Sequence, residues 1–176
     1  TERREIMLHK VLIANRGAIA VRIERTLKKM GVGSVAVYSK ADRDSLHVTG
    51  ADEAVYLGDG TAKETYLDVE KIIDACKKTG ADAVHPGYGF LSENTEFAML
   101  CKKNGIIFIG PTVENIRQFG LKVPARELAE KAHVPLLPGT GLLSKAEEAV
   151  EKADAIGYPV MLKSTAGGGG IGIRIC

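Results

Sequence analysis

The chain has 176 residues, which is enough for one good core or for one core plus part of a second. Hydrophobic residues make up 45% and charged residues 26%, which is usual for a globular protein. Its 24 basic and 22 acidic residues nearly balance, and it has only four Phe, five Tyr and no Trp, so we expect no nucleic-acid partner. The apolar stretches are too short for a membrane span. Cys76, Cys101 and Cys176 form no CxxC pair, so we expect reduced thiols in a cytoplasmic protein, without a metal site.

The first part of the chain alternates apolar runs typical of strands with segments of helical period. Strands are predicted over residues 11–14, 35–38, 54–57, 83–85 and 106–109. Helices are predicted between them, the first ended by Gly31 and the second by Gly80, with further helical residues at 97–100. This alternation predicts an α/β domain over residues 8–111, with a Rossmann-like parallel sheet covered on both faces.

The pattern changes after Pro111. The predicted elements are helices over 113–119 and 125–132 and strands over 134–139, 158–163 and 171–175. Ser144 and Glu147 have the spacing of a capping box, which predicts the start of one more helix. Residues 112–176 therefore make only part of an α+β layer, because a stable sheet needs more strands than these.

A lysine is followed closely by a run of glycines. Lys163 ends an apolar stretch, and the run consists of Gly167, Gly168, Gly169 and Gly170. Glycines let backbone N–H groups approach an anion, and the lysine adds the charge that phosphate needs. A dinucleotide fingerprint is disfavoured because no helix pattern follows, and a Walker A loop because the lysine precedes the glycines. Phosphate binding is favoured over a hairpin tip without function, since glycines weaken a sheet.

Two turns follow predicted strands, at the edge where open α/β sheets place ligands. For residues 15–20, a plain tight turn is favoured over an anion site at the helix start. For residues 85–94, two interpretations stay open: a ligand site, or a turn in which Ser92 or Asn94 caps the next helix. Lys122 and Arg126 share a helical face, which by itself favours a solvated basic surface. The remaining candidates, interpreted as structural, are His9, His47 and His133.

Together these segments resemble the biotin carboxylase family of ATP-grasp ligases. The matching stretches, in family order and spacing, are 11–17, 38–48, 85–94, 108–111 and 163–170. Ala18 and Ile171 depart from most biotin carboxylases and, with residues 119–122, 135–141 and 161–166, resemble the urea carboxylase branch. Val123 and Pro124 depart from that branch, which leaves the local helix start near Lys122 in question.

The resemblance implies a fold, a reaction and site residues. The fold is the biotin carboxylase N-terminal domain followed by an incomplete ATP-grasp subdomain. The reaction uses ATP, with Mg²⁺ or Mn²⁺, to activate bicarbonate and carboxylate biotin on a carrier domain, and a carboxyltransferase domain then passes the carboxyl group to urea. By resemblance, Lys122, Lys163 and Gly167 to Gly170 contact ATP, while Tyr88 and Gly89 lie beside the biotin and bicarbonate pocket. A homodimer is a further possibility in this family.

The family's metal-binding glutamates, bicarbonate-holding arginine and catalytic base lie beyond the equivalent of Cys176. We therefore expect an inactive N-terminal fragment that contains no catalytic or metal-binding residue of its own. Two alternatives stay open. The chain could derive from an acetyl-CoA, pyruvate or propionyl-CoA carboxylase, which Ala18 and Ile171 disfavour, or it could be a stand-alone binding or assembly module without catalysis.

Overall fold

The chain divides into two compact units, Thr1–Val113 and Glu114–Cys176. The structure, a computed structural model, describes residues 7–165 and 172–176. The predicted glycines 167–170 lie outside the described residues.

The first unit is built on a five-stranded, fully parallel sheet. Its strands are β1 (Lys10–Ile13), β2 (Gly33–Ser39), β3 (Glu53–Gly58), β4 (Ala83–His85) and β5 (Ile107–Phe108). Its helices are α1 (Gly17–Met30), α2 (Leu46–Thr49), α3 (Val69–Thr79) and α4 (Thr95–Lys103). The predicted parallel α/β fold is confirmed, and each of the five predicted strands is present with ends shifted by at most two residues.

Alternation along β1 explains why both faces of the sheet are covered. Val11 and Ile13 pack in one core cluster with Ala20, Ile23 and Leu27 of α1. Leu12 lies in the other core cluster, with Ile72 and Ile73 of α3 and Phe97 of α4. Successive side chains of a strand point to opposite faces, so a strand that is apolar at every position must be buried on both sides.

Local signals in the sequence determine the helix ends. Gly31 and Gly80 follow α1 and α3 with φ of 69° and 67°, the left-handed conformation that closes a helix and that glycine adopts readily. Asn94 caps α4 by accepting a hydrogen bond from the Phe97 N–H at 2.8 Å. Of the two caps left open by the sequence, Asn94 is therefore the one used.

The strand order is β3-β2-β1-β4-β5. The chain builds outward from β1 through β2 to β3, then returns to the other side of β1 with β4 and continues to β5. The turns after β1 and β4 consequently lie side by side at the carboxyl edge of the sheet, where the direction of winding reverses. Open α/β sheets bind ligands at this position.

The second unit is smaller and mostly exposed. Its elements are α5 (Val113–Gly120, which begins at the last residue of the first unit), α6 (Lys122–Lys131), α7 (Ala146–Ile156), β6 (Met161–Lys163) and β7 (Ile173–Ile175). β6 and β7 pair antiparallel, with Met161 opposite Ile175 and Lys163 opposite Ile173, so the predicted return strand is confirmed. Among the described hydrophobic residues of this unit, Ile116 alone is buried.

Three local predictions in the second unit are wrong. Residues 134–139 form no strand: Pro135 and Pro138 lack the N–H that a ladder needs, and Arg126 Nη2 donates to the Leu137 carbonyl at 2.8 Å instead. The predicted strand 158–163 is reduced to Met161–Lys163. The third error is the capping box.

The predicted capping box does not form at α7, where the N-cap residue makes no side-chain hydrogen bond to the helix. The helix start is one residue later than predicted, because Lys145 is the N-cap of α7. Glu148, rather than Glu147, therefore accepts hydrogen bonds from the Ser144 N–H and hydroxyl, each at 3.1 Å.

Candidate functional site

The turn after β1 holds the turn after β4 through one side chain. Asn15 lies two residues after the end of β1 and is only 4% exposed. Its Nδ2 donates to the carbonyls of Pro86 and Tyr88, both at 2.8 Å, and its Oδ1 accepts from the Arg16 N–H at 2.9 Å. Both N–H groups of the amide and its oxygen are thus engaged, which is the arrangement a buried amide needs.

Gly87 allows the two turns to approach this closely. Its φ is +67°, and a Cβ at this position would lie 2.8 Å from Asn15 Nδ2 and 3.1 Å from Ile19. Its N–H also donates to His85 Nδ1 at 3.0 Å. The Pro86–Tyr88 backbone is therefore tightly determined, while the Tyr88 side chain beyond it is 67% exposed and open to a ligand.

The far end of the same turn packs on aromatic rings. The Phe90 ring stacks on Tyr66 with centroids 5.3 Å apart and planes inclined by 12°. The Arg16 guanidinium lies over both rings, 5.3 Å from the Tyr66 centroid and 5.6 Å from that of Phe90. Phe90 has φ of +41°, unusual for a non-glycine residue, so these contacts help to retain a conformation that costs free energy.

Asp42 orients the Arg16 guanidinium. One carboxylate oxygen accepts from Arg16 Nη1 at 3.1 Å, from the Tyr66 hydroxyl at 2.6 Å and from the Ser39 hydroxyl at 3.0 Å. Partial burial acts to raise the pKa of Asp42, but the hydrogen bonds from Tyr66, Arg16 and Ser39 outweigh it and lower the pKa below its ordinary value. Asp42 is therefore ionised near neutral pH and holds Arg16 in place.

Two histidines near this edge are held neutral by burial. His47, fully buried in α2, accepts from the Gly17 N–H through Nδ1 at 3.4 Å. Burial lowers its pKa, although the Val37 carbonyl and Asp42 oppose the effect. Burial also lowers the pKa of His85, whose Nδ1 accepts from Gly87. The predicted structural role of His47 agrees with its burial.

The residues predicted to bind phosphate lie in the second unit. Lys122 is the first residue of α6, so Pro124 lies in the first turn, where proline is tolerated. Lys163 is exposed and ends β6. Ser164 N donates to the Gly172 carbonyl at 2.8 Å, so the hairpin brings together both ends of the segment that contains Gly167 to Gly170. Arg126, in the same helix as Lys122, donates a hydrogen bond to the Leu137 carbonyl.

Residues 7–165 and 172–176 contain no group of three or more His, Cys, Asp or Glu side chains that could hold a metal ion. Within the same ranges no helix has the length and apolar character required to cross a membrane. Cys76 and Cys101 are buried free thiols whose pKa burial raises to about 12, so both are poor nucleophiles.

The roles of Asn15, Arg16 and Asp42 do not follow from the sequence alone. A plain tight turn is the favoured prediction for residues 15–20, and Asp42 enters only as part of the matching stretch 38–48. One signal was available: a buried strand followed at once by Asn15, facing a second strand that ends in a Pro-Gly turn. The contact itself joins residues 71 and 73 positions apart, which no local pattern records.

The open α/β sheet and the paired turns at its winding reversal define the first unit as a Rossmann-like, ligand-binding type of domain. Residues 7–116 match the model of the biotin carboxylase N-terminal domain. Residues 122–176 match the ATP-binding domain of the carbamoyl-phosphate synthase L chain. The chain belongs to the biotin carboxylase family, and the predicted resemblance is confirmed.

Urea amidolyase of Lachancea kluyveri is 62% identical over 164 residues, which cover 93% of this chain and 9% of that protein. Biotin carboxylase 1 of Bacillus subtilis is 52% identical over 170 residues, covering 96% of this chain and 38% of that protein. The biotin carboxylase domain dimer of Hydrogenobacter thermophilus 2-oxoglutarate carboxylase was solved with MgADP, ADP and bicarbonate. It matches with a TM-score of 0.91 and 48% identity, covering 97% of this chain and 38% of that chain. The chain thus spans well under half the length of each relative.

Proposed function

We propose that this chain supplies the N-terminal domain, residues 8–111, and the first part of the ATP-grasp domain, residues 112–176, of a biotin carboxylase. The full enzyme would use MgATP and bicarbonate to carboxylate biotin on a carrier domain. The observation that carries the proposal is the succession of two family matches along one chain, the biotin carboxylase N-terminal domain and then an ATP-binding domain. The MgADP and bicarbonate bound by the Hydrogenobacter relative support it.

Each predicted site residue has a place in this proposal. Lys163, exposed at the end of β6, would contact ATP phosphate oxygens, and Lys122, at the start of α6, would add a second positive charge. Both charges would offset the negative charge that develops during phosphoryl transfer. Gly167 to Gly170 would cover the phosphates, as their sequence predicts. Tyr88 and Gly89, on the turn held by Asn15, would line the biotin and bicarbonate pocket.

The metal is assigned to no residue of this chain. From the family resemblance, we propose that the metal ligands and the catalytic base lie in the part of the enzyme that these 176 residues do not span. The isolated chain should then show no bicarbonate-dependent ATP hydrolysis, and steady turnover that a Lys163→Ala change abolishes would contradict this.

We further propose that the carboxyl acceptor is urea. Identity to urea amidolyase is 62%, against 52% to biotin carboxylase 1 of Bacillus subtilis, and Ala18 and Ile171 resemble the urea branch. The test compares urea, guanidine, acetyl-CoA, propionyl-CoA and pyruvate as acceptors for the full-length protein. Turnover stimulated by urea supports the assignment, whereas stimulation by a CoA thioester or by pyruvate would replace it.

The proposed partners follow from the same family assignment. They are a biotin carrier domain, a carboxyltransferase domain and, as in the Hydrogenobacter relative, a second copy of the carboxylase domain. A cytoplasmic location, predicted from cysteine usage, belongs to the same proposal. Detection of covalent biotin on the purified full-length protein by mass spectrometry would support the carrier assignment, and its absence from that protein and from every copurified subunit would contradict it.

A further inference from the structure

We infer that Asn15 and Arg16 are positioning residues, which fix the turn that presents Tyr88 and Gly89 and so set the affinity for biotin without setting that for ATP. The inference rests on the proposed function of that turn. It concerns a contact between two parts of the first unit that are far apart in sequence, the turn after β1 and the turn after β4.

Asn15 determines the start of the turn. Its amide nitrogen is shared between the carbonyls of Pro86 and Tyr88, which fixes two peptide planes on either side of Gly87. The amide itself is oriented by the Arg16 N–H, which donates to Oδ1. Because Gly87 leaves no room for a Cβ against Asn15, the turn and the amide are matched in shape as well as in hydrogen bonding.

Arg16 determines the end of the turn. Its guanidinium covers the stacked rings of Phe90 and Tyr66, and Asp42 fixes its direction at 3.1 Å. Tyr88 and Gly89 thus lie between two restrained points, the Pro86 carbonyl and the Phe90 ring. The backbone is restrained while the Tyr88 side chain stays exposed, which is how a binding side chain is pre-organised at low entropic cost.

The position of these contacts predicts that the KM for biotin should change while the KM for ATP should not. The predicted ATP contacts, Lys122 and Lys163, belong to the second unit, whereas every contact described above lies within the first. Loss of the Asn15 contacts should therefore disorder the turn that carries Tyr88 and Gly89, without altering the predicted ATP contacts of the second unit. A purely structural role would instead lower stability and affect ATP and biotin kinetics alike.

The experiment uses the full-length protein with free biotin as the carboxyl acceptor. Asn15→Asp keeps the size of the side chain but sets a carboxylate oxygen against two carbonyl oxygens. We expect the KM for biotin to rise about tenfold or more, as the loss of two hydrogen bonds implies, with the KM for ATP changed less than about twofold. Arg16→Lys keeps the charge beside Asp42 but loses the planar stacking. For this variant we expect the KM for biotin to rise about threefold.

The control is Asp82→Ala, which removes the carboxylate that accepts from the His9 and Lys10 N–H groups at the amino end of β1, the edge of the sheet opposite the turn. It should lower the melting temperature as two lost hydrogen bonds do, yet leave the KM for biotin unchanged. Hydrogen exchange adds a readout independent of turnover: residues 86–90 should exchange faster in Asn15→Asp than in the wild type or in Asp82→Ala.

The outcomes separate the two claims. If the wild type carboxylates biotin but the Asn15 and Arg16 variants change both KM values equally, or neither, the positioning role is refuted and the proposed function stands. If the wild type carboxylates no biotin, the proposed function fails and the inference fails with it. If Asn15→Asp does not fold, the test uses Arg16→Lys, which changes a half-exposed side chain. The KM for biotin and the KM for ATP of that variant then decide whether the positioning role holds.

Discussion

A buried carboxyl group in α1 makes the stability of the first unit depend on pH. Glu24 lies on the apolar face of the helix, only 7% exposed, and its Oε1 has no hydrogen-bond partner among the described residues. Gly50 packs so closely that a Cβ there would lie 2.9 Å from Oε2. Burial, and secondarily the negative charge of Asp52, raise the pKa of Glu24 from 4.5 to about 7.

The direction of the effect follows from proton binding. Between pH 4.5 and 7 the folded state keeps the Glu24 proton while the unfolded state releases it, so the free energy of unfolding falls as pH rises. It levels off above the folded-state pKa. With 1.36 kcal/mol per pKa unit, the change between pH 5 and pH 8 is roughly 2.5 kcal/mol, as an upper figure. Solvent near the exposed Asp52 weakens its effect on Glu24. We therefore expect the free energy of unfolding to fall by about 1–2 kcal/mol between pH 5 and pH 8.

The test is the difference between Glu24→Gln and the wild type. Gln keeps the shape and cannot ionise, so the variant should be about 1–2 kcal/mol more stable relative to wild type at pH 8 than at pH 5. Urea unfolding followed by tyrosine fluorescence reports mainly on the first unit, which contains four of the five tyrosines. Glu70→Gln, at an exposed position of α3, is the matched control and should change by less than about 0.5 kcal/mol. Equal differences at both pH values would refute the reasoning.

Two further predictions concern a glycine and a lysine. Gly87→Ala should destabilise the first unit more than Gly80→Ala in urea unfolding: both have φ of +67°, but only at Gly87 does the new Cβ meet another group, Asn15, at 2.8 Å. The strain alone costs about 1–2 kcal/mol and the clash about 1 kcal/mol more, so equal costs would contradict the close contact. Lys163→Ala in the full-length protein should weaken ATP binding about ten- to a hundredfold by calorimetry, whereas Lys152→Ala, exposed on α7, should not; equal effects would remove Lys163 from the phosphate site.

The sequence predicted the first unit well because its signals are local. Unbroken apolar runs such as residues 11–13 indicate strands buried on both faces, and Gly31 and Gly80 supply the left-handed residues that end helices. The strand prediction for residues 134–139 is wrong because it follows from their apolar character alone. Two prolines in this segment remove the N–H donors that a strand needs.

The candidate site was predictable only in part. The edge of the sheet where Tyr88 and Gly89 lie follows from strand order, and the family assignment came from motif order along the chain. The Asn15 contacts were not predictable, because they join positions more than seventy residues apart. The phosphate-binding roles of Lys122, Lys163 and Gly167 to Gly170 stay predictions, since they depend on chemistry that only a bound nucleotide would report.

One measurement tests the biotin carboxylase assignment most directly: transfer of labelled bicarbonate to free biotin by the full-length protein, with and without MgATP. The account predicts acid-labile label on biotin that requires MgATP and appears together with ADP. Absence of label on biotin, in a protein that is folded and hydrolyses ATP, would contradict it.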